Sequence, residues 1–430
     1  MLRRQFVRTL GVGSTMGALG GLSLLSGCTT TGAGNGLKVV VVGGGFGGAT
    51  AAKYVRMWSD YGIEVTLVEP NANFISCPIS NLVLGGTKTM ADITTPYDGL
   101  VKNHGVKLVH DTVSVIDADK RIVKLASGGA LPYDRLILSP GIDFMWDTLP
   151  GMASAGAKDK VLHAWKAGAQ TVALRKQLLD MPDGGVFALT IPLAPYRCPP
   201  GPYERACQVA HYLTQTKPRS KVLILDANDD VTSKGPLFKK AWAERYKGMV
   251  EYRSKHALAD VDAASNTLKF EFQDDLKANV LNVLPPMRAG AIAVQTGLAT
   301  ANQRWCEVDF LTFESKAVKN IHVLGDSIQV APAMPKSGHM ANQHGKTCAA
   351  AVIALLTGQT PNPSPIYNNT CYSFVSAEDA VHVASVHTYD PVHQTMIAVA
   401  GSGGVSKAAN ELEGRFALSW AQGIWADTLM

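Results

Sequence analysis

The sequence predicts an α/β protein: two Rossmann-like dinucleotide-binding domains, the second without a nucleotide fingerprint, plus a small C-terminal α+β module. Three observations carry this expectation. A nearly continuous apolar run, Leu37 to Val42, leads into the turn Gly43-Gly44-Gly45-Phe46-Gly47-Gly48 and a helix-like stretch from Ala49 to Trp58. A second strand–helix–strand series begins at Val186, but a proline-rich loop stands where its glycine turn belongs. From Pro361 onward the chain is rich in β-forming residues.

Composition fits this class. The chain has 430 residues, 46% hydrophobic and 17% charged, which suits a globular enzyme of two or three domains. No cluster of Lys and Arg suggests nucleic acid, and that class is set aside.

Residues 1–28 read as an export signal. Arg3-Arg4-Gln5-Phe6 is a twin-arginine pattern, and the Gly-rich apolar stretch behind it has no Lys, Asp or Glu up to Gly27. Leu25-Ser26-Gly27-Cys28 fits a lipobox, which would put a lipid on Cys28; the alternative is cleavage nearby with Cys28 idle. Loss of Arg3, Arg4 and Arg8 would take the formal charge from +5 to +2. The expected destination is the periplasm, where disulfides persist. Reduced nicotinamide is not dependably available there, so another electron partner is needed.

Residues 37–155 are expected to form the first segment of a nucleotide domain. Gly43 permits the turn, Gly45 lets the backbone approach a pyrophosphate, and Gly48 lets helix and strand pack closely. Glu69 ends the next strand, 21 residues after Gly48, where a carboxylate accepts from ribose hydroxyls. Cys77 follows in Phe74-Ile75-Ser76-Cys77-Pro78-Ile79-Ser80-Asn81, a stretch that passes over the isoalloxazine ring in flavin-binding folds. A thiol there can bond to the flavin or exchange electrons with it, or be a small buried hydrophobe. Val106 to His110 and Val113 to Leu125 suggest an antiparallel insertion, and Tyr133 to Gly141 returns a strand into a glycine-ended turn.

Residues 156–290 carry the second Rossmann-like domain. After the strand Val186 to Ile191 comes Pro192-Leu193-Ala194-Pro195-Tyr196-Arg197-Cys198-Pro199-Pro200-Gly201-Pro202-Tyr203-Glu204-Arg205, then a helix from Ala206 to Thr214 and a strand from Lys221 to Asp226. Prolines lack N–H groups, so this loop makes no phosphate cradle, which argues against NADH. Core cysteines seldom sit in Pro/Gly loops, and the ends of parallel strands are where such sheets bind ligands, which singles out Cys198.

Residues 291–359 return to the first domain. The strand Asn320 to Leu324 ends in Gly325-Asp326, and in FAD folds this aspartate accepts from the ribitol. Lys336-Ser337-Gly338 opens a helix through Cys348 to Leu356, its N-terminus aimed at the flavin pyrimidine edge. Lys336 is expected to stabilise negative charge on the reduced flavin. Residues 360–430 form the terminal module, which covers the flavin and ends in Trp420 and Trp425.

The chain has seven cysteines and no C-x-x-C, so no haem site is expected in it. The spacing of His382, His387 and His393 matches no ligand set, and no metal is expected. Cys198 can pair with Cys207, Cys348, Cys371 or Cys306, which lies beside Trp305 in an expected strand; spacing does not decide between them.

Arg197-Cys198-Pro199-Pro200-Gly201-Pro202-Tyr203-Glu204, supported by Pro335-Lys336-Ser337-Gly338 and Trp425, resembles the flavoprotein subunit of flavocytochrome c sulfide dehydrogenase. The resemblance runs through the terminal module. It implies FAD held by a thioether from Cys77 to the 8α-carbon, a redox-active disulfide between Cys198 and Cys371, and Glu204 as a candidate acid/base. It also implies hydrosulfide as substrate and a cytochrome c subunit or soluble cytochrome c as acceptor. Two rival readings stand beside it. One is a sulfide:quinone oxidoreductase-like enzyme; the other is an exported flavin electron-transfer protein whose cysteines are structural.

Overall fold

The computed structural model describes residues Gly36–Met430; the twin-arginine motif and Cys28 lie outside the described residues. The run of valines at Lys38–Val42 forms the central strand of a five-stranded parallel sheet. Apolar, β-branched residues with both faces covered make such a strand. Across the sheet the order is Ile321–Val323, Arg135–Leu138, Lys38–Val42, Glu64–Val68, Lys107–Val109. A strand from near residue 320 thus completes a sheet begun at residue 38, as expected of a domain split in sequence.

The second sheet is also parallel, with order Val250–Arg253, Lys221–Asp226, Val186–Ile191, Val280–Val283. An antiparallel pair, Ile142–Phe144 with Met287–Ala289, carries the chain between the two sheets. The terminal module pairs Ile366–Phe374 antiparallel with Ala380–Asp390 and closes with the helix Glu411–Leu429. The mixed α/β class is as the sequence predicts.

Three local expectations are corrected. Lys107–Val109 belongs to the edge of the parallel sheet beside Glu64–Val68, not to an antiparallel insertion. That insertion is the three-stranded unit Val113–Asp117, Ile122–Leu125 and Ala130–Pro132. The helix expected from Ala206 starts at Gly201, because a proline in the first turn gives up an N–H that has no helical partner anyway. Cys306 makes only an isolated bridge to Ile328 rather than joining a strand.

Candidate functional site

The glycine turn builds one wall of a cavity of about 310 Å³. Gly43 has φ +95°, and a Cβ on Gly48 would sit 1.9 Å from the Gly43 carbonyl oxygen. A side chain on Gly48 would push the helix Phe46–Trp58 off the strand, and one on Gly43 would meet the Ser139 carbonyl oxygen at 2.3 Å. Gly45 opens onto the cavity with nothing within 4 Å of a Cβ position, so a ligand can approach its backbone. Glu69 borders the same space. Its Oε2 accepts from the Gly44 amide at 2.7 Å and its Oε1 from the Asn71 amide at 2.9 Å. Oε1 also accepts from Asn71 Nδ2 at 2.6 Å, so Oε2, with one donor, is the oxygen that keeps a lone pair for a ribose hydroxyl.

Asp326 also lines the cavity, and its Oδ1 is buried without a hydrogen-bond partner. Burial pushes its carboxyl above the usual range, against the pull of Arg197 and Lys336. A buried acceptor aimed at an open cavity fits a cofactor hydroxyl. The glycine turn, the helix N-terminus, Glu69 and Asp326 together suit FAD.

The sulfur atoms converge on this cavity. Cys77 lies in a turn between the strand Asn73–Ile75 and the helix Ser80–Gly85. Ser80 Oγ donates to its carbonyl at 2.6 Å. The Cys77 Sγ receives the Arg197 guanidinium at 3.0 Å and the Ala167 amide at 3.5 Å. Arg197 also bonds the Trp165 carbonyl, and its Nε stands 4.0 Å from Asp326 Oδ2.

Cys198 follows in the proline loop with φ +58°, its N–H donating to the Lys336 carbonyl at 2.8 Å. A Cβ on Gly201 would stand 2.9 Å from the Cys198 Sγ, which rests against the first turn of the helix Gly201–Thr216. Cys371 enters from the strand Ile366–Phe374, its Sγ 3.5 Å from the Asn369 side chain. Cys198 and Cys371 both border the cavity, and both are free thiols here, so the disulfide implied by the resemblance is not formed in this structure. Burial pushes the Cys198 thiol up to about 12, with Cys371 and Glu204 adding to it. Burial raises Cys371 too, while Lys234, Asn369 and Ser337 work against the shift.

Glu204 is buried at the cavity. Its Oε1 accepts from the Phe374 amide and its Oε2 from Asn81 Nδ2, each at 2.8 Å. It therefore ties the Cys198 loop, the Cys77 turn and the Cys371 strand together. Burial raises its carboxyl above the ordinary range despite these two donors.

Two residues expected at the cofactor stand off the cavity. Lys336 does not border the cavity: its Nζ donates to the carbonyls of Asp326 and Ile328 and lies 3.6 Å from the centre of the Trp305 ring. It braces the Gly325–Ser327 turn that carries Asp326, and burial lowers its ammonium to about 7. Trp425 does not border the cavity either; Trp420 does. Five residues on a helix turn the side chain by roughly 140°, so the two tryptophans of Glu411–Leu429 cannot share that face. Sequence reasoning missed Arg197, although it directly precedes Cys198, and it missed Lys234 entirely. Nothing local marks either residue, because their partners are distant in sequence.

Other groups stay apart from this site. His382 bonds Glu413 and Ser406, His393 bonds Asp390, and His387 bonds Ser385. Among the described residues no group of three or more His, Cys, Asp or Glu is placed to hold a metal. No helix among them is long and apolar enough to cross a membrane.

Comparison with known proteins agrees with this arrangement. The sulfide dehydrogenase [flavocytochrome c] flavoprotein chain, central domain, matches residues 171–285, and the flavocytochrome c sulphide dehydrogenase flavin-binding domain matches 363–429. The chain belongs to the flavocytochrome c sulfide dehydrogenase flavoprotein family. The two matched segments of this family contain Cys198 and Cys371 respectively. The pyridine nucleotide-disulphide oxidoreductase family matches 37–186, which contains Cys77.

A flavocytochrome c sulfide dehydrogenase flavoprotein chain from Chlorobaculum thiosulfatiphilum is 63% identical over 46 residues, 11% of this chain and 94% of that one. The mitochondrial sulfide:quinone oxidoreductase of Dictyostelium discoideum is 26% identical over 300 residues, 67% of this chain. The match spans 65% of that relative's length. The Aquifex aeolicus sulfide:quinone oxidoreductase structure superposes with a TM-score of 0.71 at 18% identity, covering 91% of each chain, which shows a shared fold.

Proposed function

We propose that the protein oxidises hydrosulfide to zero-valent sulfur or polysulfide through a Cys198–Cys371 disulfide and passes the electrons to a cytochrome c. The observation that carries this reading is the convergence of Cys77, Cys198 and Cys371 on the cavity that Gly45, Glu69 and Asp326 suit to FAD. Sulfur exchange needs an accessible disulfide sulfur and an anionic nucleophile. Hydrosulfide is an anion, present alongside hydrogen sulfide at neutral pH, and small enough for this space. Its attack on one cysteine sulfur breaks the S–S bond, leaving a persulfide on that residue and a thiolate on the other. A second hydrosulfide releases the sulfur, and two electrons and a proton remain to be removed per sulfide oxidised. FAD, when bound, accepts the electron pair and returns it singly.

This chain's residues hold the parts in place. Cys77 supplies the thioether, with Arg197 fixing its sulfur. Glu204, its carboxyl raised by burial, stands beside the cysteines as the acid/base. Lys336 fixes the turn bearing Asp326. Export by the twin-arginine route to the periplasm, with an optional lipid on Cys28, completes the reading, since it places FAD loading before translocation. The sulfide:quinone oxidoreductase relative keeps a quinone as the second candidate acceptor.

The test is anaerobic stopped-flow mixing of the FAD-loaded protein with sulfide, followed by oxidised cytochrome c or a soluble quinone. Rapid flavin bleaching and then haem reduction is the expected result. A flavin that stays oxidised in sulfide overturns the sulfur mechanism, and preferential reoxidation by quinone reassigns the acceptor.

A further inference from the structure

The sulfur chemistry leaves the buried cation Lys234 unused. Lys234 is 6% exposed and adopts φ +58° at the residue before the helix Gly235–Arg245. A left-handed lysine is uncommon, and such conformations persist only where the surroundings hold them. Its Nζ donates to the Cys371 carbonyl at 2.9 Å and to Ser373 Oγ at 2.6 Å, both on the strand that carries the cysteine. Neither acceptor is charged, and the carboxylates that act on Lys234, Glu204 and Glu413, do so through space without an ion pair among the described residues. A buried ammonium is costly unless negative charge gathers near it, so charge that arises on Cys371 when the site works is favoured beside Lys234. One N–H of the ammonium remains uncommitted.

We propose that Lys234 is a positioning residue that stabilises negative charge on the Cys371 sulfur, making Cys371 rather than Cys198 the thiolate when the pair is open. The inference rests on the reading of these two cysteines as a redox pair. It assigns the order of attack. Hydrosulfide bonds to the Cys198 Sγ, the Cys198–Cys371 bond breaks, and its electron pair goes to the Cys371 Sγ. The products are a Cys198 persulfide and a Cys371 thiolate, so the single negative charge carried in by hydrosulfide ends beside Lys234.

The surrounding charges agree with this order. Lys234 is influenced by Cys371, Glu204, Cys198 and Glu413, all of which favour its charged form. Burial lowers it to about 8, which leaves it mostly protonated at pH 7. Lys234 is the strongest influence opposing the burial shift at Cys371, where Glu204 raises the thiol with the smallest effect of the set. At Cys198 burial dominates, Cys371 and Glu204 raise it further, and Arg197 precedes Lys234 among the groups that lower it.

The test is alkylation of the dithiothreitol-reduced, flavin-loaded protein by iodoacetamide across pH 6 to 10, with each cysteine read by peptide mass spectrometry. In the wild type, the Cys371 curve is expected to lie at lower pH than the Cys198 curve. In Lys234→Met, Cys371 labelling at pH 7 should slow more than tenfold while Cys198 changes less than threefold; Lys234→Arg should stay near wild type. A wild-type Cys198 that titrates first, or a methionine variant that slows both cysteines equally or neither, overturns the assignment. The wild-type comparison decides the matter even if the methionine variant does not fold. Alkylation uses neither sulfide nor acceptor, so failure of the sulfide reading and failure of this one are separate results.

Discussion

Gly201 shows how narrowly the sulfur site is built. It follows three residues after Cys198 and opens the helix Gly201–Thr216. An added Cβ would stand 2.7 Å from the Trp165 ring and 2.9 Å from the Cys198 Sγ. Trp165 cannot yield freely, because its Nε1 donates to the Arg197 carbonyl at 3.1 Å and its own carbonyl accepts from the Arg197 guanidinium. Gly201→Ala is therefore expected to displace the Cys198 sulfur while leaving the glycine turn, Glu69 and Asp326 untouched. The expected outcome is a protein that still binds FAD but whose flavin is bleached by sulfide at least tenfold more slowly, read by stopped flow on material of matched flavin content. Unchanged bleaching would mean that the Cys198 position does not limit the reaction. The sequence singled out Cys198 through its proline loop, but not the clash that demands glycine after it, since Trp165 is brought in only by the fold.

At the scale of elements, the helix Glu411–Leu429 decides whether the cavity keeps its outer wall. Asn410 caps it, accepting from the Glu413 amide at 2.9 Å, and Trp420 faces the cavity from its middle. Its far end is fastened by Asp427, which accepts from Tyr54 at 2.6 Å and from Asn342 and Lys346 at 2.8 Å. Burial alone would raise the Asp427 carboxyl, but these three donors outweigh it and hold the group below the ordinary range. A carboxyl depressed in the folded state adds stability above its unfolded pKa and loses it as pH falls through the folded one. Asp427→Ala leaves three donors without their acceptor and should cost about 1 to 3 kcal/mol. Partial exposure of the site puts the value toward the lower end. The expected outcome is faster proteolysis within residues 360–430 and weaker FAD retention at pH 7, with the difference from wild type shrinking below about pH 4. The sequence showed that a terminal module exists and that it ends in tryptophans. It did not show which tryptophan faces inward, because the helical phase depends on this anchoring to Tyr54, Asn342 and Lys346, residues far away in the chain.

The whole molecule holds two parallel sheets of similar plan, yet only one keeps a nucleotide site. In the first, Glu69 follows the strand Glu64–Val68, borders the cavity and takes three donors, one on Oε2, which leaves that oxygen a lone pair. The comparable carboxylate in the second is Asp226, at the end of Lys221–Asp226 and fully buried. Its Oδ2 accepts from Tyr203 at 2.7 Å and Tyr252 at 3.1 Å, and its Oδ1 from the Asn228 amide at 3.0 Å and side chain at 2.7 Å. Four donors exhaust the lone pairs that a ribose would need. Tyr203, wholly buried and held by the helix that starts in the proline loop, fills the space beside it. The missing glycine turn was legible in the sequence as three closely spaced prolines, whereas the capture of Asp226 was not, since Tyr203 and Tyr252 reach it from separate elements. The proline loop thus turns the second sheet from a cofactor holder into a platform for Cys198. NADH and NADPH are accordingly expected to leave the flavin oxidised under anaerobic conditions in which sulfide bleaches it. Releasing one donor in Tyr203→Phe should not restore a response, because the loop still lacks the amides that would hold a pyrophosphate. Bleaching by NADH at a rate comparable to sulfide would show that the second domain still binds nucleotide.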